Sequence, residues 1–352
     1  MIQQSGGIGN VTPNAELLKM AMAYSRSRIL CAAARLGIAD ALGEDERSVE
    51  YVAEVCQADP DALYRLLRAL ASIGVTTETT SEHFLLTPFG RPLRKDVPQS
   101  AWSAIIFWAD LLADSWSLLP DCVRAGKPAS QVRDPNIPSR WSQVPEASDI
   151  FRAVMGTAPA EDYAPIARAW NFSQARVVAD LGGGGGSLIL AVLGLNTHVR
   201  GMLVDREDSV DAVKSRFAEE DPSSRCELIV ADLMQSVPSG AEVYMLKQVL
   251  HGCQDKEAIA ILKNCRAVIP KDGRLLVMEC VLPPLVPEAD PQLEVRLMSD
   301  LNMLAVTGGK ERSERQWKTL LEAGGFALLE VHSVRNDAGE EESIGLLEAE
   351  PI

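Results

Sequence analysis

The sequence predicts a mostly helical, winged-helix-like N-terminal segment followed by a doubly wound α/β domain on a parallel sheet. Three observations carry this. The run Val177-Val178-Ala179-Asp180-Leu181 enters five consecutive glycines, Gly182 to Gly186, then Ser187 and the apolar stretch from Leu188 to Leu193, which reads as strand, tight turn and buried helix. Beyond it, strand-like runs alternate with helical patterns, the rhythm of a sheet with helices on both faces. Before it, apolar residues recur at helical spacing and then give way to two short strand-like runs.

The chain has 352 residues, enough for two domains, and a formal net charge of −15. That charge argues against nucleic acid as a partner, since phosphate binding needs a basic surface. Seven cysteines without a C-x-x-C pair suggest reduced thiols, neither a disulfide framework nor a zinc knuckle. No signal-like N-terminus or bilayer-length apolar run is visible, so a soluble, cytoplasmic protein without membrane contact is expected.

Three segments are expected, 1–100, 101–172 and 173–352. Residues 1–12 are glycine-rich and polar and are expected to be loose. After Pro13 a helix begins whose apolar positions, among them Leu17, Leu18, Met20, Tyr24 and Leu30, cover a face wide enough to want a partner. Ser48 to Val55 reads as a capped helix, and Asp61 to Ser72 places Leu63, Leu66, Leu67 and Leu70 on one face until Gly74 ends it. Val75 to Thr80 and His83 to Thr87 then form a wing. Arg65 and Arg68 would support DNA binding, but a mostly apolar helix in an acidic chain would read bases poorly, so a protein–protein role is preferred. From Trp102 to Trp170 short helices broken by prolines carry Trp102, Trp108, Trp116, Trp141 and Trp170, each expected in core packing. Phe151 and Met155 lie one helical turn apart and suit an adaptable small-molecule pocket.

The glycine loop needs residues that turn with positive φ and let the backbone approach a ligand, and the following helix aims its free N–H groups there. Its spacing misses G-x-G-x-x-G, because Ser187 and Leu188 stand where the third glycine should be. Asp180, Gly182, Gly184 and Gly186 match Asp-x-Gly-x-Gly-x-Gly, which resembles the first motif of S-adenosylmethionine (SAM)-dependent methyltransferases. Later strands end at Asp205, at Asp232, at Lys247 with His251 just beyond, and at Glu279, all at the carboxyl edge where open α/β sheets bind ligands. Asp205 suits ribose hydroxyls, while Asp232 and Leu233 suit the edge and face of adenine. A histidine with a pKa of about 6.5 is matched to taking a proton from a phenol, and flanking carboxylates would orient its ring. His83, His198 and His332 lack such surroundings and are read as structural. The spacing shows no metal-ligand cluster.

Longer runs narrow the resemblance. Leu246 to His251, Ala258 to Cys265, Gly273 to Glu279, Asp300 to Leu304 and Gly308 to Arg312, in that order, resemble the caffeate/acetylserotonin/hydroxyindole type of small-molecule O-methyltransferase. The resemblance spans almost the whole chain and implies a Rossmann-like catalytic domain behind a winged-helix-like dimerisation domain. It implies His251 as general base, with Glu279 and Glu311 flanking it. It implies cofactor contacts at Gly182, Asp205, Asp232, Leu233 and Lys247, and an acceptor pocket lined by Phe151, Met155, Asn302, Met303 and Val306. Where that family has Asp or Asn and then often Trp after the histidine, this chain has Gly252 and Cys253, and Asp205-Arg206-Glu207 replaces the common Asp-Leu-Pro. The expected activity is methyl transfer from SAM to a hydroxyl of a small aromatic compound. The alternatives are a SAM-binding enzyme of other chemistry and a ligand-sensing DNA-binding regulator.

Overall fold

A computed structural model describes residues 13–155, 159–219 and 224–352; the loose tail expected at 1–12 lies outside them. The chain divides into two compact units, one comprising the described residues up to Ala113 with Arg140–Ile150, the other Asp114–Ser139 with Phe151–Ile352.

The first unit opens with the helix Pro13–Leu36, on which Leu17, Leu18, Met20, Met22 and Tyr24 are exposed. Strand β1 (Arg47–Ser48) leads into the helix Val49–Cys56, capped by Ser48 Oγ, which accepts from the Tyr51 N–H at 3.3 Å. The helix Pro60–Ser72 has Asp59 as its cap and buries Leu63, Leu67 and Leu70, while Leu66 is half-buried. Strands β2 (Thr76–Thr80) and β3 (His83–Leu86) form the wing, and β1, too short to read from sequence, pairs with β3 to make a three-stranded antiparallel sheet. On the Pro60–Ser72 helix, Arg68 stacks over Tyr64 at 5.5 Å and lies 3.7 Å from Glu78 of its own wing. Phe107–Leu111 is a π-helical turn that turns Asp110 inward, where it accepts from Arg35 Nε at 2.6 Å and from two nitrogens of Arg140, each at 2.8 Å.

The expectation of core tryptophans is corrected. Trp102, Trp116, Trp141 and Trp170 are half-buried and Trp108 is 51% exposed, whereas Trp317 is fully buried. Short helices broken by proline have too few neighbours to enclose an indole on every side, while Trp317 lies on a longer helix packed against the sheet.

The second unit holds β4 (Val177–Leu181), β5 (Arg200–Asp205), β6 (Cys226–Val230), β7 (Val243–Lys247), β8 (Arg274–Glu279), β9 (Val281–Leu282), β10 (Arg312–Ser313), β11 (Phe326–Arg335) and β12 (Glu341–Pro351). Seven of them form one sheet in the order β11-β12-β8-β7-β4-β5-β6. Pairing is parallel from β8 to β6, but β12 inserts antiparallel between β8 and β11, so the all-parallel expectation is corrected to a mixed sheet. A crossover helix is what forces strands parallel; β11 and β12 are joined by a short turn and run as a hairpin. After β5 and β6 on one side of β4 the chain crosses to β7 on the other, which puts a topological switch point at the end of β4. Separate apolar clusters fill the two faces, and the Ser187–Leu195 helix is buried nearly all round. Beyond β8, β9 pairs in parallel with β10, and the helix Pro291–Val306 packs on the helices Leu119–Ala125 and Ala129–Val132. Among the described residues no helix is long and apolar enough to cross a membrane.

Candidate active site

All site residues belong to the second unit. At the end of β4, Gly182, Gly184 and Gly186 take φ of 68°, 52° and 76°, a region costly to residues with a Cβ. A Cβ on Gly186 would stand 2.4 Å from Phe217, while one on Gly184 would meet nothing within 4 Å. The loop is thus braced below and open above, with room for a ligand over Gly184. Asp205, at the end of β5, ties the loop in place: its Oδ2 accepts from the Gly184 N–H at 2.8 Å and its Oδ1 from the Arg206 N–H at 2.7 Å. Each oxygen keeps a further lone pair for a hydroxyl.

Asp180 is placed beneath the loop rather than on its open side. It is 1% exposed, its Oδ2 has no hydrogen-bond partner, and it lies 2.9 Å from where a Gly183 Cβ would be. Burial pushes its carboxyl up to about 7, against the pull of the Lys247 charge. Lys247, at the end of β7, faces both Asp180 and Glu279, stacks over Tyr163 at 5.1 Å and donates to Gln248 Oε1 at 2.6 Å; burial draws its pKa down. Asp232 is exposed and accepts from the Met234 N–H at 2.9 Å and Gln235 Nε2 at 3.1 Å, forming a turn. Leu233 is half-buried beside Gly182, its carbonyl held by Asn264 Nδ2 at 2.8 Å. An open glycine cradle, acceptors at successive strand ends and an apolar wall fit a nucleoside that carries an amino acid.

His251 stands in the one-turn helix Leu250–Gly252. Its Nδ1 is 2.9 Å from Glu311 Oε1 and 3.5 Å from Glu279 Oε2. Glu279, 0% exposed at the end of β8, also accepts from the N–H groups of Leu250 and His251 at 2.9 and 3.2 Å. Burial pushes its carboxyl up to about 7, against the opposing His251 charge. Burial disfavours the charged ring of His251, but the Glu311 hydrogen bond and the charges of Glu279 and Glu311 outweigh it and raise its pKa. With Nδ1–H committed to Glu311, Nε2 is the nitrogen left to accept a proton. The fold also gathers what spacing did not reveal, three donor atoms of His251, Glu279 and Glu311 within 4.8 Å of one another; the 2.9 Å separation is that of a shared proton.

The expected acceptor residues are partly gathered. On the helix Pro291–Val306, Asn302 is buried and accepts from Trp116 Nε1 at 3.1 Å, while Met303 and Val306 are half-buried. Ser299, one turn earlier, donates to Glu311 Oε1 at 2.8 Å, so the same helix supports the carboxylate beside His251. Phe151 and Met155 are 42% and 50% exposed. A Cβ on Gly252 would meet nothing within 4 Å, which leaves space beside His251.

Sequence reading missed Ser299 and Tyr163, and gave no role to Gly309 and Arg312 within the run Gly308 to Arg312. A Cβ on Gly309 would stand 2.0 Å from the His251 carbonyl oxygen. The run Gly308-Gly309 held that signal, since adjacent glycines mark close backbone approach. His332, read as lacking acid neighbours, is 3.0 Å from Glu348, a cross-strand pairing invisible before the register was known.

The catalytic part of the chain matches the family model of the O-methyltransferase domain over residues 139–327, and residues 18–96 match that of the O-methyltransferase dimerisation domain. O-demethylpuromycin-O-methyltransferase of Streptomyces alboniger is 34% identical over 90% of this chain and 85% of its own. Phenazine O-methyltransferase PhzM of Lysobacter antibioticus is 32% identical over 98% of both. The O-methyltransferase NcsB1 from neocarzinostatin biosynthesis, solved with S-adenosyl-L-homocysteine and 1,4-dihydroxy-2-naphthoic acid, superposes with a TM-score of 0.78 at 28% identity, covering 95% of this chain and 98% of that one. The glycine cradle, the strand-end acceptors and these matches agree: the chain belongs to the SAM-dependent small-molecule O-methyltransferase family.

Proposed function

We propose that this enzyme methylates a hydroxyl group of a small aromatic metabolite, that His251 is the general base, and that it works as a homodimer. The observation that carries the reading is the 2.9 Å contact from His251 Nδ1 to Glu311, which fixes the tautomer with Nε2 as acceptor. Asp205 and the glycine loop hold the nucleoside, Leu233 backs its base, and Asp180 with Lys247 sets the potential beneath the loop. Asp232 would accept from the adenine amino group with the lone pairs its turn leaves free. Bound SAM supplies a methyl group on a positively charged sulfur. Nε2 takes the phenol proton as the oxygen forms its bond to the methyl carbon and the carbon–sulfur bond breaks, leaving S-adenosylhomocysteine. The imidazolium then sits against Glu279 and Glu311. Phe151, Met155, Asn302, Met303 and Val306 line the acceptor side. Aromatic acceptors are supported by relatives that act on phenazine and hydroxybenzoate rings. Leu18, Met20, Met22 and Tyr24, exposed on the helix Pro13–Leu36 and inside the matched dimerisation region 18–96, support a homodimer.

The test is S-adenosylhomocysteine release with 1,4-dihydroxy-2-naphthoic acid and a pool of simple phenols, wild type beside His251→Ala. Release that falls at least about 100-fold in the variant, with unchanged SAM binding, is expected from loss of a base. Full release by the variant refutes the base. Transfer only to amines refutes the hydroxyl acceptor, an outcome made concrete by N-methyltransferases among the relatives.

A further inference from the structure

The clearest unexplained group is Arg312. It is 1% exposed, and a buried guanidinium is stable only when its five N–H groups are all satisfied. They are. Nε and Nη2 donate to Asp255 Oδ1 at 3.2 and 2.8 Å, Nη1 to the carbonyls of Leu250 and Lys310 at 3.1 and 3.2 Å, and Nη2 to the Cys253 carbonyl at 3.1 Å. The Trp317 ring lies 5.1 Å away, and Asp255, the counter-charge, is half-exposed and also held by Lys310 Nζ at 2.7 Å. Leu250 and Cys253 are the residues that begin and follow the turn carrying His251, and Arg312 directly follows Glu311 in the chain. The Lys310 N–H adds a bond to the carbonyl of His251 at 2.9 Å. One buried side chain therefore holds both ends of the base's turn to the strand that delivers the base's acid partner.

We propose that Arg312 is a positioning residue for the methyl transfer, setting the His251–Glu311 distance by clamping the turn around His251 to β10. This rests on the reading of His251 as the base. The planar fork is essential to it. Lysine has a point charge and three donors in a cone, and it cannot reach two carbonyls on either side of a turn and a carboxylate together. The other charged groups facing the ring are Glu279 from β8 and Lys247 from β7, and neither contacts Arg312 in the described residues. Loosening the clamp therefore acts on the Glu311 contact first.

The test needs no acceptor. The chain has four histidines, so a sample labelled with 15N at histidine gives few ring signals, and His251→Gln identifies those of His251. In wild type the His251 Nδ1 proton is expected far downfield, with a titration midpoint raised above the ordinary imidazole value. In Arg312→Lys the proton signal should move upfield and the midpoint should fall as the hydrogen bond lengthens, with the signals of His83, His198 and His332 unmoved. Guanidinium at low millimolar concentration should restore the signal in Arg312→Ala, whose cavity fits it. A folded Arg312→Lys with an unchanged His251 signal overturns the proposal. So does loss of the native fold in both variants, which assigns Arg312 to stability alone. Retained methyl transfer by His251→Gln, read separately in the S-adenosylhomocysteine release assay, is a different result: it defeats the base reading and with it any role of Arg312 in methyl transfer, while the spectra still decide whether Arg312 sets the His251–Glu311 contact.

Discussion

Gly309→Ala isolates the fit of the base's turn from any chemistry of the side chain removed. The new Cβ would stand 2.0 Å from the His251 carbonyl oxygen, 2.7 Å from the Gly252 carbonyl carbon and 2.9 Å from the Cys253 nitrogen, all backbone atoms with no rotamer to escape into. Reaching even 3.0 Å, the shortest approach real Cβ atoms make, requires the two segments to part by 3.0 − 2.0 = 1.0 Å at that oxygen. The 2.9 Å bond from the Lys310 N–H to the same oxygen would stretch beyond hydrogen-bond range. Overpacking of this kind costs about 1–3 kcal/mol of stability, and a misplacement of about 1 Å is worth roughly 100-fold in rate. Gly252→Ala is the internal control, because its Cβ meets nothing within 4 Å and its φ is not positive. The assay is S-adenosylhomocysteine release with the naphthoate probe, beside SAM affinity by calorimetry and thermal unfolding. Gly309→Ala should lose about two decades of kcat with SAM affinity within a factor of three, and Gly252→Ala should lose little. Wild-type kcat and melting temperature in Gly309→Ala would refute the close packing on which the site is built.

Gly184→Ala, where the added Cβ is free of clashes but φ is 52°, should weaken SAM binding by roughly 5- to 30-fold through the 1–2 kcal/mol penalty of that backbone region, read by calorimetry. Asp180 has a carboxyl raised to about 7, so in the cofactor-free enzyme it favours the fold while protonated, and that contribution fades as pH rises from its ordinary range of about 4 through 7. Asp180→Asn should accordingly raise the melting temperature at pH 8 and change it little at pH 5; an equal shift at both refutes the burial argument. With the neutral His251 ring as the proposed base, its raised pKa acts on catalysis in the opposite sense: kcat/KM should rise with pH through a midpoint above 6.5, and in Glu311→Gln that midpoint should fall. Asp110→Asn leaves the Arg35 and Arg140 guanidiniums facing a neutral amide and should cost about 3 kcal/mol in urea unfolding.

Much of the catalytic unit was legible because its constraints are local. A glycine run after a β-branched strand has few uses, and acids at strand ends fall together once the strands are side by side. Strand direction was not legible: Ile344 to Glu348 is a mostly apolar run whose Leu346 and Leu347 are buried on opposite faces whichever way the strand runs, and only the short connection to β11 decides that it runs antiparallel. Arg312 was equally hidden. A lone arginine reads as a surface cation, and its burial depends on carbonyls 62 and 59 residues earlier in the chain. Asp180 was read correctly in place but not in depth, since spacing cannot say whether a carboxylate faces the open side of a turn or its underside. The half-buried tryptophans and the exposed Trp108 err in the other direction: an aromatic is a sound guess for core only where elements are long enough to surround it.

The insertion of β12 between β8 and β11 has a consequence for how the enzyme comes into being. Glu279 is carried by β8, and one flank of β8 is paired only once Glu341–Pro351 has been threaded beside it. On a ribosome, the glycine cradle, His251, Glu279 and Glu311 emerge well before β12, yet the strand bearing Glu279 is a bare edge until β12 arrives. A nascent chain can thus assemble its glycine cradle early but braces the strand that carries Glu279 only when the hairpin of β11 and β12 closes the sheet. A chain cut short before Glu341 would leave an edge prone to pairing with other chains, and quality control would meet it as an aggregation hazard rather than as a slow enzyme.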